Sequence, residues 1–126
     1  MPLPVGSWKA VVNGAEEDLP IAAPGADGVF TGTFGLAPIR GFWDEVSQRV
    51  TFTVTVFFGA GSPTIALFTG YLFRTPPNAA PGRDVVATIA GTVQANVGDA
   101  GPGTFPALGT ARRNVFGWLA TITEVL

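Results

Sequence analysis

The sequence predicts an all-β protein, and within that class an eight-stranded antiparallel up-and-down β-barrel. Three observations predict it. Seventeen Gly and eleven Pro punctuate the 126 residues, so no segment of useful length keeps a 3.6-residue apolar period. Runs with period-two alternation recur instead, at the spacing of an all-β barrel or sandwich. The early connections between these runs are short, which favours antiparallel neighbours in a meander. A sandwich satisfies the first two observations as well. The barrel is preferred because no long crossover precedes the last loop, and because closure removes both sheet edges.

The first strand covers residues 7–13, SWKAVVN, and the second 18–23, DLPIAA. The turn PGADG follows, with Gly25 and Gly28 free to take positive φ. Strand three is 29–34, VFTGTF, and the turn GLAP leads to strand four, 39–44, IRGFWD. Strand five, 49–58, alternates most clearly: Val50, Phe52, Val54 and Val56 fall on one face and Thr51, Thr53 and Thr55 on the other, as β-branched residues on a pleat should. Strand six, 64–74, is apolar on both faces. Strand seven runs 84–95 and strand eight 114–125, separated by a Gly/Pro-rich loop, 96–111, in which Phe105 and Leu108 are embedded. Gly32, Gly41, Gly70, Gly91 and Gly117 fall inside strands, where they permit the coiling of a small barrel or make local room for packing.

The length is that of one domain, 1–126, with enough chain for a real core. Charged residues are only 13%, about half the usual share. Such a surface is covered by Thr, Gly and apolar groups, or is partly buried against another copy. With a net charge of −2 and no basic run, nucleic acid has nothing to grip. The chain has no Cys and no His, which excludes disulfides, thiol chemistry, the usual zinc sites and every His-based triad. The lack of Cys leaves the compartment open. MPLPVGSW has neither the basic region nor the apolar core of a signal peptide, and no apolar run approaches a membrane-spanning helix.

The segments GSWKAVVNG, GVFTGTF, RVTFTVTV, ALFTGYLF, IAGTV and FGWLATI resemble, in order and spacing, the avidin and streptavidin β-barrels, a calycin-type fold. GFWDE, TGYLF and RNVFGW are also similar to segments of a loose group of bacterial proteins. The avidin resemblance implies an eight-stranded barrel that assembles through its outer faces. It does not carry biotin across. Phe34 stands where the family's pattern has a pocket aromatic or Tyr, and lacks a hydroxyl. Thr64 and Phe68 match pocket-facing positions of the sixth strand, but Ala66 replaces a Ser or Thr. The strand-seven Trp is missing, the lid loop is cut to GLAP, and Asn13 is displaced from the first-strand Asn position. The polar groups complementary to a urea ring are mostly absent, which argues against biotin.

Trp8, Phe34, Phe52, Thr64 and Phe68 are the candidate lining of one barrel mouth, with room there for a small apolar ligand. The competing reading is a filled interior, because eight strands hold side chains or one small ligand but not both. Trp43 and Trp118 are read as external. Glu16, Glu17 and Asp18 read as a solvated turn, Asp44 as a turn-former, and Arg40 and Arg49 as cross-strand partners of Asp44 or Glu45. No inward strand position clearly carries a carboxylate or Arg, so the expectation is a non-enzyme without cofactor or metal. A secreted lectin-like or toxin-like module is the alternative. Ile65, Leu67, Tyr71 and Phe73, with Val86, Phe116, Trp118 and Ile122 of the next two strands, form an expected external apolar patch. They predict a homodimer or homotetramer built on strands six to eight.

Overall fold

The computed structural model describes residues 1–57, 63–99 and 110–125. Eight strands close into one barrel in sequence order: β1 (Gly6–Val12), β2 (Ala15–Ile21), β3 (Val29–Phe34), β4 (Ala37–Asp44), β5 (Arg49–Phe57), β6 (Pro63–Thr75), β7 (Asp84–Asp99) and β8 (Thr110–Val125). Every neighbouring pair is antiparallel, and β1 closes the barrel against β8 at Lys9 to Val12. The fold class is therefore the one expected from the sequence, an up-and-down barrel rather than a sandwich. β3 has the expected bounds. β2 starts three residues earlier than expected, at Ala15. β7 and β8 run further, into the stretch read as a loop. Phe105 and Leu108 of that stretch, and Phe58, lie outside the described residues.

Alternation decides which side chains fill the barrel. Trp8, Ala10, Leu19, Ile21, Phe30, Ile39, Val50, Phe52, Val54, Phe68, Leu72, Ala87, Ile89, Val93, Trp118 and Ala120 make one buried core. Trp8, Phe30 and Phe52 are the largest of the sealed side chains. The interior glycines make room for rings. Gly70 and Gly91 stand opposite each other on β6 and β7, and Gly91 stands opposite Trp118 on β8. A Cβ on Gly70 would lie 3.1 Å from the Trp118 ring and 2.6 Å from Ile89. A Cβ on Gly91 would strike the Thr69 carbonyl oxygen and the Gly70 Cα. Gly41 serves Phe30 in the same way, at 2.5 Å. Gly41 and Gly70 thus let aromatic rings lie against the wall, and Gly91 lets the backbone of β6 approach closely.

Turns β1–β2 and β3–β4 lie at one end, here the hairpin end. The opposite, strap end carries turns β2–β3, β4–β5 and β6–β7. It is crossed by residues 1–5, which bury Leu3. Trp8 Nε1 donates to Pro4 O at 2.9 Å, Gln48 Nε2 to Met1 O at 2.8 Å, and Arg74 Nη2 to Pro2 O at 3.1 Å. The N-terminal segment is thus fastened by three side-chain donors from three different strands or turns.

Candidate functional site

The aromatic cluster comes first. Phe52 and Phe68 stack at 4.7 Å between centroids, Phe34 meets Phe68 at 5.1 Å, and Trp118 meets Phe68 and Phe52 edge-on at 5.2 and 5.5 Å. Each such pair adds about 1 kcal/mol beyond the area it buries. Phe52 and Phe68 are nearly sealed, and Phe34 keeps partial exposure toward the hairpin end. Three of the residues read as lining one mouth, Phe34, Phe52 and Phe68, are therefore together. Trp8 is not with them. It is wholly buried and tied to the strap-end segment. The side chain of Thr64 lies outside the described residues.

Trp118 is the member that the sequence reading missed. It was placed outside with Phe116 and Ile122, and the structure reverses all three. Trp118 is 4% exposed, with Nε1 donating to Thr69 O at 3.2 Å, and Phe116 and Ile122 pack against the core. The reason is register. Val93 pairs with Phe116, Gly91 with Trp118, and Ala87 with Ile122, so the even residues of β8 share a face with the inward residues of β7. The missed signal was the Gly70–Gly91–Trp118 row, two residues without side chains beside the largest one. Trp43 is also buried rather than external, with Nε1 donating to Glu45 Oε2 at 2.6 Å.

A second correction concerns charge inside the barrel. Arg74 and Glu124 sit at the strap end of the inward faces of β6 and β8. They form an ion pair at 2.9 Å with side chains only 9% and 20% exposed. Glu124 Oε2 is buried without a partner. Counting by twos from Leu72 and from Ile122 reaches both residues, so inward strand positions do carry an Arg and a carboxylate.

The turn charges behave more simply. Asp44 Oδ1 accepts the Val46 N–H at 3.0 Å. The Ser47 hydroxyl and the N–H groups of Ser47 and Val46 hold its carboxyl below the usual range. Arg49 stands opposite Asp44 in register but forms no ion pair with it, and neither does Arg40, among the described residues. Glu45 instead meets the N-terminal ammonium at 2.9 Å, and that contact and the Trp43 indole lower its pKa. Lys9 pairs with Asp18 across β1 and β2. Among the described residues no group of carboxylates is placed to hold a metal ion.

The third region is the outer wall of β6–β8. Ile65, Leu67, Tyr71, Phe73 and Val86 are 57, 38, 53, 50 and 39% exposed. From β8 the exposed large apolar residues are Val115 and Leu119, and β1 adds Val11. Tyr71, Ala90, Leu119 and Val11 fall in one cross-strand row. Across residues 65–75, 86–94 and 115–123 no outward position carries a charge. The charged outward positions Lys9, Glu16, Asp18, Arg40, Asp44 and Arg49 lie on β1, β2, β4 and β5, and Asp84 and Arg113 bound the uncharged wall near the ends of β7 and β8. Searches against family models, curated proteins and solved structures return no match.

Proposed function

We propose that this protein is a non-enzymatic, avidin-like barrel whose task depends on self-association through the outer wall of β6–β8. One observation carries the reading: an uncharged, contiguous wall bearing Ile65, Leu67, Tyr71 and Phe73 beside Val86 and Leu119. Three strands spaced by about 4.8 Å, each contributing about nine residues at roughly 3.3 Å, give a flat face of about 430 Å² before side-chain relief. A standard interface buries about 800 Å² per partner, roughly a tenth of a small protein's surface. The surface here is 7886 Å², so the wall can form the apolar centre of an interface of that size. A closed barrel has no free edge to extend, which makes face-to-face packing about a two-fold axis the simplest assembly, and two such dimers would give a tetramer. Phe34, above the sealed Phe52–Phe68 stack, leaves the hairpin end as the place for a small apolar ligand.

Sedimentation or light scattering tests this. The wild type should show a concentration-dependent mass above 13.0 kDa, and Leu67→Glu with Tyr71→Glu should return it to the monomer with the β-sheet spectrum intact. A wild type that stays monomeric at high concentration would sink the reading. The lectin-like alternative drew on exposed tryptophans, and Trp8, Trp43 and Trp118 are all buried.

A further inference from the structure

Outside the barrel, at the strap end, lies a groove of about 780 Å³. One bank is the β2–β3 turn, residues 24–28. The floor is the outer face of β4 and β5, and the end is the β4–β5 turn. Phe42 rises from the floor, 60% exposed, between Val29 and Thr51 in register. Both neighbours are shorter, so the ring is the highest apolar feature there. Nothing in the self-association reading uses this groove.

Four charged side chains line the groove with Phe42: Asp27, Asp44, Glu45 and Arg49. Glu45 is already engaged on both oxygens, by the N-terminal ammonium and the Trp43 indole. Asp27 lies in the bank, and its Oδ1 accepts the Val29 N–H at 3.1 Å. Asp44 lies at the end, held by the N–H groups of its own turn. Both carboxylates are therefore oriented before any ligand arrives. Arg49 is exposed and forms no ion pair among the described residues, which leaves its planar fork of donors available.

The ligand class follows by elimination. An anion would meet Asp27 and Asp44. A cation would gain from the ring and the carboxylates but would meet Arg49. A purely apolar guest would have to desolvate Asp27, Asp44 and Arg49 without compensation. A neutral, polyhydroxylated ring has none of these faults. Its hydroxyls can donate to the two carboxylates and accept from Arg49, while its apolar C–H face covers Phe42. We infer that the groove between the β2–β3 turn and the outer face of β4–β5 is a carbohydrate-binding site with Phe42 as its platform and Asp27, Asp44 and Arg49 as its polar contacts.

The groove is shallow and a monosaccharide has only about twelve heavy atoms, so the affinity should fall in the millimolar range at ordinary ligand efficiency. The test is amide chemical-shift titration of the labelled protein with glucose, galactose, mannose, N-acetylglucosamine and a β-linked disaccharide of each. At least one sugar should give saturable shifts confined to residues 25–29 and 42–51. Phe42→Ala and, separately, the surface change Arg49→Gln should each weaken that binding tenfold or more. Leu67→Glu should leave it unchanged. The inference is overturned if no sugar shifts these amides, if the shifts fall elsewhere, or if Arg49→Gln binds as the wild type does. It is equally overturned if tetramethylammonium or sulfate produces the same shifts at lower concentration. Because Leu67 and Phe42 lie on different walls, either result stands apart from the oligomer test.

Discussion

At the scale of single residues, the barrel is governed by a few positions where size leaves no alternative. Gly91 is the sharpest. Its inward side has no space for a methyl group, since the Thr69 carbonyl and Gly70 Cα already occupy it. Gly91→Ala should cost about 3 kcal/mol through forced displacement of the β6 backbone, read as a fall in the urea midpoint. Gly117→Ala is the control. Its nearest neighbour is the Gly91 carbonyl at 3.8 Å, and the change should fall within about 0.5 kcal/mol. The Arg74–Glu124 pair gives a second prediction. Glu124→Gln or Arg74→Met alone should each destabilise by roughly 3 kcal/mol, because the remaining charge loses its partner at a largely buried site. The double change Arg74→Met with Glu124→Leu should recover most of that loss. Additive losses in this cycle would show that the pair is not coupled.

At the scale of elements, the barrel wall is uneven. β7 and β8 pair continuously from Asp84–Val125 to Asp99–Thr110, and β6 and β7 from Ala66–Ala95 to Thr75–Val86. β2 and β3 meet in register only at Ile21 and Gly32, helped by Ala22 N to Thr31 O and Gly35 N to Asp18 O, both 2.9 Å. Pro20 removes one donor from β2, which is one reason the ladder is short. The seam between β1 and β8 spans only Lys9 to Val12. Local opening should begin at these two seams. Native-state hydrogen exchange should therefore find the amides of β2 and β3 exchanging at least tenfold faster than those of Tyr71 to Phe73 and Ile89 to Val93. Uniform protection around the barrel would contradict this. The β6–β8 sheet is also the part that carries the proposed interface, so rigidity and self-association fall on the same elements.

At the scale of the whole molecule, the outer surface divides into two walls. Charged outward positions lie on β1, β2, β4 and β5 and, as Asp84 and Arg113, near the ends of β7 and β8; the uncharged apolar positions lie between these ends on β6–β8, with Val11 at their margin. This division makes a prediction about solvent. Association through an uncharged wall should be nearly insensitive to sodium chloride between 0.05 and 0.5 M on the order of one Debye length of screening, and strengthened by sulfate, which favours apolar burial. A mass that falls steeply with sodium chloride would assign the contact to the charged wall instead.

The sequence by itself determined the strand count, the antiparallel meander and the inward set of β5 and β6, because period-two alternation and turn residues act locally and survive without tertiary context. It also showed that β6 has two apolar faces. Only the tertiary structure decided which face of β8 is inside. Phe116, Trp118 and Ile122 alternate with Val115, Leu119 and two threonines, and either set reads as a core face until register with β7 is known. The same holds for the ion pair at the strap end and for the groove around Phe42. Each joins residues far apart in sequence or a strand to a turn it does not adjoin, and the closing of the barrel is what brings them together.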